Sequence, residues 1–305
     1  MSAENCIGTS SRIGAPRAAI LWGALGVLAF SFTLPATRLA VSELDPTLVG
    51  LGRALVAAGA AGVMLVATRQ RLPLPRHWRR LAVTALGIIF GFPLFSAWAL
   101  VRVPAAHGAV IVGLLPAATA AMAALRSGER PSPAFCLAVL LGLGAILGFA
   151  LAEGAGRPQP ADGLILIAVL LGGLGYAEGG ALARELGGWQ VISWVLVLSA
   201  PLLLPIVLWR AEATGLSANL PVWAAFAYVS VVSTYIGFFA WYRAMALGGV
   251  ARIGQLQLAQ PVLTLLWSAL LLGERVTTGM ALAAAAVLAA VALTQRARVA
   301  RPRTP

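Results

Sequence analysis

Residues 113–130 read GLLPAATAAMAALRSGER, and residues 257–275 read QLAQPVLTLLWSALLLGER. In each, an apolar segment carries an internal proline and ends on Gly-Glu-Arg. The spacing from proline to glutamate is the same: 13 residues from Pro116 to Glu129 and 13 from Pro261 to Glu274. The two copies lie 145 residues apart in a chain of 305. Each half of the chain holds five apolar segments of membrane-spanning length. Five is odd, so the second half must enter a bilayer upside down relative to the first. The predicted fold class is an all-α polytopic membrane protein of ten transmembrane helices, arranged as two inverted five-helix repeats. Repeats of this kind recur in proteins whose halves rock about a site near the midplane.

Composition points the same way. The chain is 60% hydrophobic and 10% charged, whereas a soluble domain is about a quarter charged. The 22 cationic side chains are all arginine. Without lysine there is no Walker A phosphate loop and no Schiff base to retinal or pyridoxal phosphate. Cys6 and Cys136 have no metal-ligand spacing, so neither a disulfide framework nor a metal site is expected, and no cofactor is called for. The net charge of +12 sits at segment ends, where it reads as a topology signal rather than a nucleic-acid surface.

The predicted spans are 18–40, 46–68, 81–102, 105–126, 133–152, 162–184, 190–209, 222–246, 252–272 and 278–296. The expected organisation is a tail at 1–17, a first repeat at 18–152, a second at 162–296 and a tail at 297–305. Alternate sides of this arrangement collect 16 and 5 arginines, with Arg53 inside the second span. The rich side is expected to be cytoplasmic, with both termini there, in a bacterial inner membrane.

Few polar groups fall inside the spans. Glu178, in LGGLGYAEGGALARELGG (171–188), is an ionisable group at depth and hence a candidate site residue. It would bind a substrate ammonium, carry a proton for coupled transport, pair with Arg53 or hydrogen-bond to backbone. Arg53 would snorkel to the interface or hold a carboxylate. Gln257 and Gln260 share a helical face and suit a zwitterion without buried charge, or else bond helix to helix; Gln255 points away from them. Trp22, Trp98, Tyr176, Tyr235 and Trp241 are candidate cavity aromatics, with membrane-interface anchoring as the alternative for the tryptophans. Pro116 and Pro261 are paired hinges or fixed bends. Glu129 and Glu274 read as structural caps that satisfy free N–H groups at the next helix start, with gating by salt bridges as the alternative. His107 opens the fourth span, as a proton sensor or as helix-end chemistry.

The repeat, the two Pro…Gly-Glu-Arg signatures, LWGALGVLAFSFTLPATRLAV (21–41) and YVSVVSTYIGFFAWYRAMALGGVARIGQLQLAQPV (228–262) together resemble the drug/metabolite transporter superfamily, in particular the EamA-type exporters. The likeness extends over roughly Ala18 to Leu293, and within the superfamily the chain looks most like amino-acid exporters, including the YddG-type exporters of aromatic and other neutral amino acids. The resemblance implies a secondary transporter that exports small metabolites by alternating access. Its partners would be a small-molecule substrate, the bilayer and, for coupling, protons. The predicted cavity is walled by helices one, three, four, six, eight and nine. An exporter of hydrophobic cationic drugs is the alternative. A membrane enzyme is disfavoured, because no H-E-x-x-H, G-x-S-x-G or paired intramembrane acids are present.

Overall fold

The computed structural model describes residues 14–127, 132–153 and 159–296. Among them every regular element is a helix. In chain order these are α1 (Arg17–Ala40), α2 (Pro46–Ala67), α3 (Pro75–Leu100), α4 (Ala105–Arg126), α5 (Pro133–Glu153), α6 (Pro160–Leu186), α7 (Gly188–Thr214), α8 (Leu220–Gly248), α9 (residues 250–272) and α10 (Thr278–Arg296). Seven of them, α1 to α4 and α6 to α8, are long and apolar enough to cross a membrane. The apolar stretches Cys136–Phe149, Leu256–Leu272 and Thr278–Leu293 in α5, α9 and α10 are shorter. The chain is therefore a multi-pass membrane protein.

Helix starts follow local chemistry. Proline occupies the first turn of α2, α3, α6 and α8, where its missing N–H costs nothing. That explains why α3 begins at Pro75 and not at 81: His77, Trp78, Arg79 and Arg80 are helical. Gly215, at φ 76°, ends α7 five residues beyond the predicted 209. The tails at 1–13 and 297–305, and Glu129, lie outside the described residues.

Helix pairing is matched between the halves. α1 packs on the second part of α8, and α6 packs on α3; α2 faces α7, α4 faces α9, and α5 faces α10. Local irregularities are matched too. α3 contains π-helix at Leu86–Gly91 and α8 contains π-helix at Tyr228–Ile236. α4 breaks after Val112 and resumes at Leu115. α9 passes through a 3-10 turn, Gly254–Leu258, before its α-helix starts at Ala259. Pro116 and Pro261 sit in the first turn of the resumed helices, so each proline lies at a break rather than kinking a continuous helix. The breaks meet: a Cβ on Gly113 would lie 3.5 Å from the Pro261 ring.

Polar ties join the halves at both ends of the bundle. At one end Asp45 accepts from the Thr47 and Leu48 N–H groups at 2.9 and 3.0 Å, capping α2, and binds Arg210 of α7. Glu43 accepts from the Asn219 backbone N–H at 2.8 Å. Glu274 accepts from the Ala105 and Ala106 N–H groups at 2.9 and 2.8 Å. It thus caps α4, in the other half, and not the helix that follows it. The α4 amides are free donors at a positive helix end, and a carboxylate satisfies both.

Burial raises the Asp45 pKa, but the Arg210 bond and the two backbone donors outweigh it and hold the carboxyl below its usual range. A depressed carboxylate contributes stability above its unfolded pKa of about 3.9 and loses it as pH falls through the folded value. Asp45→Asn is expected to cost about 1 kcal/mol at neutral pH. It should also flatten the decline of melting temperature below about pH 4. A thermal melt series from pH 7 to pH 3 on both proteins checks this; an unchanged acid slope would show that Asp45 is not the linked group.

Candidate functional site

A cavity lies at the centre of the bundle. It is lined by Phe30, Thr33 and Leu34 of α1, Arg53 of α2, Ile88, Phe92 and Pro93 of α3, Tyr176 of α6, Ser233 and Phe238 of α8, and Gln260 of α9. The wall is the predicted one except that α2 takes the place of α4. The long Arg53 side chain brings α2 to the cavity, and α4 is occupied by its crossing with α9. The free space, about 20 Å³, holds a water molecule or two.

The aromatic part of the wall is a connected cluster. Phe30 stacks on Tyr176 with centroids 6.0 Å apart and meets Phe238 edge-on at 5.0 Å. Trp241, fully buried, stands behind Phe30 and Tyr176 at 6.1 and 5.8 Å. Close approach of α1 and α8 makes this possible: a Cβ on Gly26 would come within 3.2 Å of Trp241.

The polar part centres on Arg53, which is 3% exposed. Its Nε donates to Thr234 Oγ1 at 2.6 Å and its Nη2 to Ser233 Oγ at 2.9 Å. Both hydroxyls lie in the π-helical stretch of α8. The Thr234 hydroxyl donates back to the Val229 carbonyl at 2.7 Å, and Ser233 Oγ is 2.7 Å from Thr33 Oγ1. Widening of the helix there turns consecutive polar side chains toward α2. Arg53 Nη1 and Gln260 Oε1 are buried and have no hydrogen-bond partner among the described residues.

Glu178 does not pair with Arg53. It is 1% exposed, near the far end of α6, and forms ion pairs with Arg80 of α3 and Arg126 of α4. Arg80 also binds Glu185 at 2.5 Å, and His77 Nε2 is 3.2 Å from the other Glu185 oxygen. This cluster closes the end opposite Asp45 and again joins the two halves.

The remaining candidates are spread out. Tyr176 and Gln260 line the cavity. Gln257 is buried with both amide atoms unpartnered, one turn before Pro261; the side chain of Gln255 is outside the described residues. Tyr235 faces α7, its hydroxyl 2.9 Å from Ser193 Oγ. Trp98 donates to Thr47 Oγ1 at 3.1 Å near the Asp45 end. Trp22 lies on the outer face, with the Arg243 guanidinium 5.7 Å from its ring. His107 is buried, its Nε2 2.6 Å from Asp162 Oδ1, and so ties the start of α4 to the start of α6. Sequence reading missed Thr33, Ser233 and Thr234, whose only signal was hydroxyls in the middle of apolar spans. It also assigned Arg80 and Arg126 wholly to topology. Among the described residues no cluster of three metal-ligating side chains occurs.

The sequence profile of the EamA-like transporter family matches this chain twice, at residues 17–151 and 159–296. The chain belongs to the EamA-like transporter family. As a member, it is similar to "Uncharacterized transporter YdeK" of Bacillus subtilis (strain 168), 45% identical over 274 residues, 90% of this chain and 96% of the relative. This EamA-like chain is also similar to "Probable terminal-alkyne amino-acid exporter" of Streptantibioticus cattleyicolor, 24% identical over 78% of this chain and 80% of that protein. One solved crystal structure superposes with a TM-score of 0.62 at 20% identity, covering 91% of this chain and 96% of that one, a likeness of fold alone.

Proposed function

We propose that this protein is a secondary exporter of small organic metabolites, with neutral or aromatic amino acids as its substrates. Residues 18–152 and 162–296 are two inverted five-helix repeats of a ten-span bundle, and they rock to expose the central cavity alternately. The end holding Arg80 and Arg126 faces the cytoplasm of a bacterial inner membrane, by the arginine bias, and the same bias assigns both termini to that side. The observation that carries this reading is the placement of the polar ties. Asp45–Arg210 and Glu43–Asn219 close one end, Arg80–Glu178–Arg126 closes the other, and every one crosses from half to half. The arginine partners of these ties are partly exposed, so water screens the pairs, and one set can open while the other holds. Pro116 and Pro261, at the crossing of the two broken helices, are the hinges. The aromatic wall of Phe30, Tyr176 and Phe238, backed by Trp241, suits an apolar side chain. The Streptantibioticus relative, named as a probable amino-acid exporter, supports the same substrate class.

The test is uptake of a panel of labelled amino acids into proteoliposomes of the purified protein, with and without an imposed proton gradient. Saturable uptake of neutral or aromatic amino acids is the expected result, and stimulation by the gradient would establish proton coupling. Folded protein that moves no amino acid but accumulates hydrophobic cations would overturn the substrate assignment.

A further inference from the structure

We infer that Arg53 is the carboxylate-recognition residue of the central cavity, so that a transported solute must carry an anionic carboxylate. This rests on the cavity being the translocation site. An arginine at depth in a membrane protein is expected to have a counter-charge. Arg53, which lines the cavity, has none among the described residues: its partners are two neutral hydroxyls, and Nη1 is buried and without a hydrogen-bond partner. The buried acid nearest in kind, Glu178, is committed to Arg80 and Arg126. Burying an unneutralised guanidinium costs several kcal/mol. The fold withholds the anion that would offset this, and a substrate carboxylate would supply it in the planar two-point geometry that guanidinium favours.

The hydroxyls are arranged to hold the guanidinium rather than to neutralise it. Ser233 and Thr234 fix Nη2 and Nε, which leaves the Nη1 edge free. Each hydroxyl has a second partner, Thr33 or the Val229 carbonyl, so the site stays ordered without ligand. The unpartnered Gln260 Oε1 on the same wall is an acceptor suited to an ammonium group. The aromatic faces would otherwise attract cations; a fixed positive charge among them turns the selectivity toward anions and zwitterions.

The test compares four probes by thermal stabilisation of the purified full-length protein: L-phenylalanine, 3-phenylpropionate, 2-phenylethylamine and tetraphenylphosphonium. Wild type is expected to be stabilised by the two carboxylates and not by the two cations. Arg53→Gln should weaken both carboxylates by about thirtyfold or more. The unliganded variant should melt no lower than wild type, because a buried unpaired charge has gone and both hydroxyls keep a partner. Arg53→Lys, which keeps charge but loses the fork, should retain part of the affinity. Three results would overturn the inference: stabilisation only by cations or by none of the probes, equal carboxylate affinity in Arg53→Gln, or an unliganded Arg53→Gln that melts several degrees lower. The two readings separate cleanly. Binding of 3-phenylpropionate through Arg53 without L-phenylalanine would keep the carboxylate site and sink the amino-acid substrate. L-Phenylalanine bound equally by wild type and Arg53→Gln would do the reverse.

Discussion

Gly87→Ala is expected to destabilise this protein by about 3 kcal/mol or more, or to prevent its accumulation in the membrane. A Cβ at Gly87 would lie 2.5 Å from the Leu171 carbonyl oxygen, 2.6 Å from the Gly175 nitrogen and 2.7 Å from the Gly175 Cα. All three are backbone atoms of α6, so no rotamer change relieves the overlap; the two helices themselves must separate. Gly175 meets the same surface from the other side, its Cβ position 2.6 Å from Ile88 Cγ2. In a bilayer, helices associate through such close approach, because lipid provides no hydrophobic drive between them. The π-helical stretch of α3 and the cavity wall both depend on this contact, so transport should be lost with stability. Gly144→Ala and Gly148→Ala are the controls: nothing lies within 4 Å of either Cβ position, and both should be close to neutral. Thermal melts of the three variants decide it. A Gly87→Ala protein as stable as wild type would mean that α3 and α6 are not packed at this distance.

Glu178→Gln should lower stability by about 1–3 kcal/mol and abolish or sharply slow transport. The carboxylate is fully buried, but the Arg80 and Arg126 side chains are 28% and 41% exposed. Water therefore screens the pair, and the loss falls below the 3–5 kcal/mol typical of a fully buried ion pair. Without the carboxylate, two arginines of the first half face α6 of the second half with no Glu178 anion between them. Arg80 keeps Glu185; Arg126 is left without its buried acid. The end should open, and a single cysteine placed at Ala177 should react faster with a membrane-impermeant maleimide added from the Arg80 side. Glu178→Asp separates the two roles the residue has been given. A gate tie is weakened but retained by the shorter acid, so exchange transport should persist in part. If Glu178→Gln leaves closure and exchange intact but removes only the response to a proton gradient, the residue is a proton carrier and not a tie.

Local patterns account for the elements. Each apolar run predicts a helix, and prolines at first turns mark where α2, α3, α6 and α8 begin. Pro116 and Pro261 read as hinges or bends within continuous spans, whereas the helix interruptions precede the prolines by a few residues. The candidate site was less legible. Tyr176 and Gln260 reached the cavity wall because aromatic and amide groups in a span have few other places to go. Trp22 and Trp98 did not: an indole satisfies the same sequence pattern on an outer face or at a helix end.

Sequence pattern alone marked which stretches are apolar helices and that two proline-bearing segments recur at matched spacing. These depend on hydrophobicity, proline and spacing, all local quantities. The partners of the ionisable groups follow from the folded bundle. Arg53 and Glu178 are the obvious pair on paper, yet the fold gives Arg53 two hydroxyls of α8 and gives Glu178 two arginines from α3 and α4. An intramembrane charge is bound to find some partner, but which one depends on helix rotation and depth. Those are set by how the whole bundle packs, through contacts such as Gly87 on Gly175 and Gly26 on Trp241, and no single helix records them.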